Sequence, residues 1–218
     1  MIILIIYVAI FAASFFVVRL GVRKFRQMND FTSLKTVTFG DESAVRPDRW
    51  ASVISVVTIF LIWGAFTGSK WVPIHAPGPF IGDTEFTYTL EGPDGTRDDA
   101  TVTVRVFTVG ETVEEPVIEP GEGIAKNDVL TVGAWRSQLL LMDKNDEVTR
   151  DQGAKVIAID GKPVSAGQTV AVADGTVAVT AKGSLNFAPA KGMQMEPIWL
   201  PAPEAVVSRL IEVSKQGY

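Results

Sequence analysis

Residues 80–106 read FIGDTEFTYTLEGPDGTRDDATVTVRV. In Phe86-Thr87-Tyr88-Thr89-Leu90 large apolar side chains alternate with threonine, and Thr101-Val102-Thr103-Val104-Arg105-Val106-Phe107 repeats the pattern. Successive side chains of a strand point to opposite faces, so this alternation predicts two half-buried β-strands. Glu91-Gly92-Pro93-Asp94-Gly95-Thr96 between them is dense in turn formers and closes them into a hairpin.

Shorter strands are expected downstream at Asp128–Val132, Ser137–Met142, Lys155–Ile159, Thr169–Val172, Val177–Thr180 and Ser184–Phe187. Asp160-Gly161-Lys162-Pro163, Asp174-Gly175 and Lys182-Gly183 supply turns between them. Strands at roughly ten-residue intervals predict an antiparallel β-sandwich. Thr108 to Gly123 is acidic, carries Pro116 and Pro120, and reads as a linker or edge segment.

The sandwich is flanked by sequence of another kind. Mean hydropathy is +0.23 although 21% of residues are charged, so the apolar residues must be concentrated in blocks. Met1–Val18 and Ala51–Gly68 are those blocks. Each is about 18 residues, roughly 27 Å as a helix, near the ~30 Å hydrocarbon core of a bilayer. Nothing basic precedes the first block, and Arg19, Arg23, Lys24 and Arg26 follow it, which favours an uncleaved helix over a signal peptide. Trp50, Trp63 and Trp71 near the ends of the second suit a membrane interface.

Charge then predicts topology. Arg19, Arg23, Lys24, Arg26, Lys35, Arg46 and Arg49 stand between the blocks against Asp30, Asp41, Glu42 and Asp48, which makes this loop cytoplasmic by the positive-inside rule. The N-terminus and everything beyond about Ser69 are then extracytoplasmic. From His75 to Leu200 there are ten basic and nineteen acidic residues, a net of −9. The basic loop is explained by topology and anionic lipid, so nucleic acid is not expected as a partner. The expected layout is therefore a transmembrane helix at 1–20, a cytoplasmic loop at 21–50, a second transmembrane helix at 51–70, an exported β insert at 76–195 and a final segment at 196–218. The place expected for such a chain is the bacterial inner membrane.

Chemistry is sparse. The chain has no cysteine, which removes disulfides, thiolate nucleophiles and cysteine metal sites. Its one histidine, His75, lies a turn beyond the second block and reads as an interfacial polar residue. Asp94, Asp98 and Asp99 crowd the hairpin turn and are the weak candidates for a calcium site. Asp143, Asn145, Asp146 and Glu147 form a second acidic run, but Val148 stands where a calcium-binding helix–loop–helix loop needs glycine. No catalytic set, cofactor loop or phosphate cradle is legible, so no enzymatic activity and no cofactor are expected.

Two resemblances add to this reading. FIGDTEFTYTLEGPDGTRDDATVTVRV resembles the closing hairpin of bacterial Ig-like or cadherin-like modules, and residues 155–190, KVIAIDGKPVSAGQTVAVADGTVAVTAKGSLNFAPA, resemble their middle. In those modules the middle comes first. The reversed order implies one circularly permuted module, with the usual joint running from Phe187–Ala190 into Pro77–Phe80. Adjacent termini are what insertion into a host loop requires. The alternative is two broken half-modules.

With the insert set aside, WASVISVVTIFLIWGAFTGSKWVPI and MEPIWLPAPEAVVSRLIEVSKQGY resemble the start of ABC-importer permeases of the taurine, aliphatic sulfonate and nitrate class. The carrying phrase is Leu200-Pro201-Ala202-Pro203-Glu204-Ala205-Val206, followed by an amphipathic helix and Gln216-Gly217-Tyr218. Val206, Val207, Leu210 and Ile211 form one stripe of that helix. The resemblance implies as partners the bilayer, further permease subunits, a separate ATPase subunit and a periplasmic substrate-binding protein. The segment 199–218 reads as a beginning whose continuation, with the translocation spans, is expected elsewhere. The competing expectation is a membrane-anchored Ig-like protein for adhesion or scaffolding.

Overall fold

The computed structural model describes residues 2–26 and 49–217. Most of the basic loop expected at 21–50 lies outside them. The described chain divides into two compact units, residues 1–76 with 194–218, and residues 77–193.

The first unit is helical. α1 spans Ile2–Arg26 and α2 spans Arg49–Thr67. The first twenty residues of α1 are long and apolar enough to cross a membrane. The expectation for α2 must be reduced, because its apolar stretch is the shorter run Ser52–Thr67. Tyr7 is buried with Ala65 and Val72, and Ile3, Leu61, Ile62 and Phe66 pack around them. The start of α1 therefore lies against the end of α2, an antiparallel pair. The Tyr7 hydroxyl, which needs an acceptor once buried, donates to the Ile74 carbonyl at 3.0 Å.

α2 stops for a local reason. Gly68 takes φ +65°, and the Ser69 N–H reaches back to the Gly64 carbonyl at 3.0 Å, the six-to-one bond of a Schellman cap. The chain then folds back so tightly that a Cβ on Gly64 would overlap the Val72 side chain. α3, Pro203–Lys215, starts with proline in its first turn, where the missing N–H costs nothing, and Glu204 follows at the positive helix end.

The second unit is the β module. β1 (Gly82–Glu91) and β2 (Arg97–Phe107) form the expected antiparallel hairpin, with Phe86 opposite Val102 and Glu91 opposite Arg97. Asp94 accepts from the Thr96 N–H at 3.0 Å and Gly95 adopts φ +83°, which closes the turn. β3 (Asp128–Gly133), β4 (Gln138–Leu140), β5 (Lys155–Ile159), β6 (Lys162–Pro163), β7 (Thr169–Val172), β8 (Gly175–Val179) and β9 (Leu185–Pro189) follow. One sheet runs β3-β2-β1-β5-β6 and the other β4-β9-β8-β7.

Two features depart from expectation. The sheets are not purely antiparallel, because β3 pairs parallel to β2. The segment 108–127 between them exceeds the dozen or so residues that a parallel return needs, so the chain comes back in the same direction. Lys162–Pro163, expected as part of a turn, forms the short strand β6; Asp160 at φ +45° and Gly161 at φ +70° make the two-residue turn alone. Gly175, expected in a turn, instead begins β8. Its missing side chain makes room for the Phe187 ring, whose Cζ lies 2.9 Å from where a Cβ would stand.

Both sheets contribute to one core. Phe86, Tyr88, Leu90, Val102 and Val104 of one sheet share it with Val177, Leu185 and Phe187 of the other, and the Phe86 and Phe187 rings stack at 5.9 Å. The ends of the module meet. The Phe80 N–H donates to the Ala190 carbonyl at 2.9 Å, and the Met193 N–H to Pro77 at 2.7 Å. Phe187→Ala removes the central ring and is expected to cost about 3–5 kcal/mol of β-module stability in denaturant titration, whereas Val117→Ala, at a fully exposed position, should change it by under about 0.5 kcal/mol.

Candidate functional site

Two groups of polar contacts stand out, one in each unit. In the helical unit the group sits at the end of α2. Ser69 is fully buried, and its hydroxyl donates to Glu204 Oε2 at 2.6 Å. The Lys70 N–H donates to Glu204 Oε1 at 2.8 Å, so both carboxylate oxygens are held by one loop. Burial pushes the Glu204 carboxyl upward, but the Ser69 and Lys70 hydrogen bonds outweigh it and hold the group below its ordinary value. His75 Nε2 donates to the Ser69 carbonyl at 2.5 Å, so the one histidine braces the same loop.

The L-P-x-P phrase is built into this node. The Trp63 indole N–H donates to the Pro201 carbonyl at 2.9 Å, and Pro203 is buried. The Met195 N–H reaches the Phe66 carbonyl at 2.8 Å, and the Gln194 amide donates to Ala76 at 2.8 Å. Beside these contacts lies an apolar cavity of about 210 Å³, lined mainly by Val57, Phe60, Leu61, Trp71, Val72 and Pro203. Outward from the node the Val207, Leu210 and Ile211 side chains are exposed. The arrangement holds two chain segments together and places an apolar helix face outward.

In the β module the weak calcium candidates do not converge. Asp94 accepts from Thr96 within its own turn. Asp98 and Asp99 are consecutive in β2 and so face opposite ways. Asp98 accepts from the Ala125 N–H at 2.9 Å, and Asp99 from the Thr89 hydroxyl at 2.5 Å. Asp98 fits because Gly123 has no side chain: a Cβ there would overlap its carboxylate. The second acidic run is likewise dispersed. Asp143 forms an ion pair with Arg150, and Glu147 one with Lys126 at 3.0 Å. Among the described residues no three His, Cys, Asp or Glu side chains form a metal-holding group.

What the sequence did not suggest is a pair of carboxyls, one buried and one half-buried, on a buried tyrosine. Tyr88, expected only as a core strand residue, directs its hydroxyl at Asp128 Oδ2 (3.2 Å), Asp146 Oδ1 (3.3 Å) and the Lys126 carbonyl (3.2 Å). One hydroxyl proton cannot satisfy three acceptors. Asp128 is only 7% exposed, and burial pushes its carboxyl up to about 6; Asn145 opposes this, Asp146 reinforces it and Tyr88 opposes it. Burial also raises Asp146, and the Tyr88 hydroxyl is raised by burial and by both carboxylates. Asp146 additionally accepts from the Lys126 N–H at 2.8 Å, so the pair ties the stretch before β3 to the stretch after β4. The only sequence signal was an aspartate opening an apolar strand, which alone does not reveal a partner.

Because the folded state holds the Asp128 proton more tightly than the unfolded chain does, this group stabilises the fold most at low pH. That contribution is lost as pH rises from about 4, through the folded value near 6. Asp128→Asn should remove this slope and raise stability near neutral pH by about 2–3 kcal/mol, read as urea midpoints across pH 4–7.5. At the helical node, Glu204→Ala leaves the buried Ser69 hydroxyl without its acceptor. It should cost about 1–3 kcal/mol locally and show as faster hydrogen exchange at 69–72 and 203–207.

Among known proteins, no family model matches this chain, and no curated protein or solved structure is similar to it.

Proposed function

We propose that the chain is the leading membrane segment of an ABC-importer permease of the taurine, aliphatic sulfonate and nitrate class, with an Ig-like β module inserted on its extracytoplasmic side. The observation that carries this reading is the node at the end of α2. Trp63, Phe66, Ser69 and Ala76, which precede the module, bond Pro201, Met195, Glu204 and Gln194, which follow it. The helix and the L-P-x-P segment thus behave as one host element interrupted by a guest. In this reading α1 and α2 both cross the bilayer as an antiparallel pair, and the exposed stripe of α3 is the seam for further permease helices. Transport would be powered by a separate ATPase subunit, with substrate delivered by a periplasmic binding protein.

The Ig-like assignment of the guest is supported by strand order. Taken from β3 onward, with β1 and β2 appended after β9, the strands can be lettered A through G. The first sheet then reads A-G-F-C followed by the short extra strand β6, and the second reads B-E-D followed by the extra strand β7. This resembles the partition of an immunoglobulin sandwich, with two departures: strand A lies on the G edge and β7 is an extra strand. The neighbouring ends at Phe80 and Ala190 are where the permutation would cut it.

The natural absence of cysteine permits a direct test. In intact spheroplasts Thr112→Cys should label with a membrane-impermeant maleimide and Lys35→Cys only after lysis. Equal labelling of both would overturn the topology. A photo-crosslinker at Leu210 should capture permease helices and co-isolate an ATPase subunit. Crosslinks to lipid alone would overturn the transporter reading and leave a membrane-anchored scaffold.

A further inference from the structure

The four edge strands of the two sheets are not alike. β6 is two residues long and consists of Lys162 and Pro163, and the Lys162 ammonium caps the Ala171 carbonyl of β7 at 3.0 Å. Short length, proline and lysine are the usual protections of a sheet edge against further pairing. At the opposite edges β4 is short, with three residues, whereas β3 lacks all three protections. β3 has six residues, Asp-Val-Leu-Thr-Val-Gly, with neither proline nor lysine.

β3 and β4 flank a groove of about 510 Å³, whose lining includes Val129, Thr131, Leu139, Leu141, Glu115 and Ile118. The Ala134 N–H bonds the Phe107 carbonyl at 2.8 Å on the β2 side. By the alternation of a parallel ladder the backbone groups of Val132 and Leu130 also face β2, and those of Val129 and Thr131 point away from it, to the open edge. Leu139 and Leu141 are 41% and 59% exposed. Glu115, Ile118 and Pro120 form one wall; they belong to the segment 108–123, which also carries Glu111, Glu114, Glu119 and Glu122 and has no lysine or arginine. Lys144 is the one cation among the lining residues. The β3–β4 turn joining the two strands holds Trp135 at φ +62°, with its buried indole N–H unpaired.

We propose that this groove docks an extended, cationic segment of a partner protein. The segment adds as a strand to the open edge of β3, lays apolar side chains on Leu139 and Leu141, and turns basic ones toward Glu115 and its neighbours. An open edge requires an extended occupant, and main-chain pairing with alternating side-chain pockets is how such edges recognise peptides. The acidic wall selects the charge. It disfavours a second copy of this net-acidic module and disfavours its own segment 111–118, which carries three glutamates and Pro116. The proposal is independent of the transporter reading.

The test uses the full chain in nanodiscs of zwitterionic lipid and a fluorescein-labelled octapeptide of alternating lysine and valine. Fluorescence anisotropy should show saturable binding that is absent from empty nanodiscs. Binding should be at least about tenfold weaker for a glutamate–valine octapeptide and for the lysine peptide with D-valine, which keeps charge and apolarity but cannot form a regular strand. Glu115→Lys and Leu141→Ser, both at exposed positions, should each weaken binding several-fold without moving the thermal midpoint. Absence of saturable binding, equal binding of the D-valine peptide, or wild-type affinity in both variants would overturn the proposal.

Discussion

Gly192 and Gly78 lie so close that a single Cβ on Gly192, already at φ +65°, would collide with the Gly78 backbone. This contact, with the Phe80–Ala190 and Pro77–Met193 hydrogen bonds, fixes the two ends of the β module side by side. The rest of the structure depends on that closure. A sandwich whose ends left from opposite poles would separate the residues before it from those after it. With its ends together, the chain on either side remains one element, and Ala76 is close enough for the Gln194 amide to reach its carbonyl.

The helical unit meets a different constraint. An apolar helix that ends must find partners for its last carbonyls. Here Gly68 turns the chain, Ser69 satisfies Gly64, and the folded-back loop offers its own hydroxyl and N–H groups to Glu204. Placing the acidic residue in the first turn of α3 also complements that helix's dipole, so one carboxylate serves the cap of one helix and the start of another. The exposed apolar side chains of α1, such as Ile5, Phe16 and Val17, are what a lipid-facing helix presents.

Most strands were legible from period-two patterns, because alternation reports directly which side chains face the core. The hairpin from Phe86 to Phe107 is the clearest case, since its turn chemistry and both strands agree. The parallel pairing of β3 was not legible: direction depends on how segment 108–127 returns, and its composition says only that it is acidic and irregular. The acidic residues were misleading in a related way. Asp94, Asp98 and Asp99 are neighbours in sequence but capping and strand alternation send them apart. Asp128 and Asp146, eighteen positions apart, meet on Tyr88 only because a core strand carries that hydroxyl to them.

Local sequence determined the elements of this protein. Charge-free runs, threonine–valine alternation and Asp-Gly turns each act through the nearest few residues, and their physics survives without the fold. The L-P-x-P phrase likewise announced the start of α3. Tertiary structure alone decided which edges stay open, which carboxyls share a proton donor, and that residues on both sides of the β module bond one another. Those outcomes depend on long-range closure and burial, where a single backbone contact or a desolvated carboxylate outweighs any local preference.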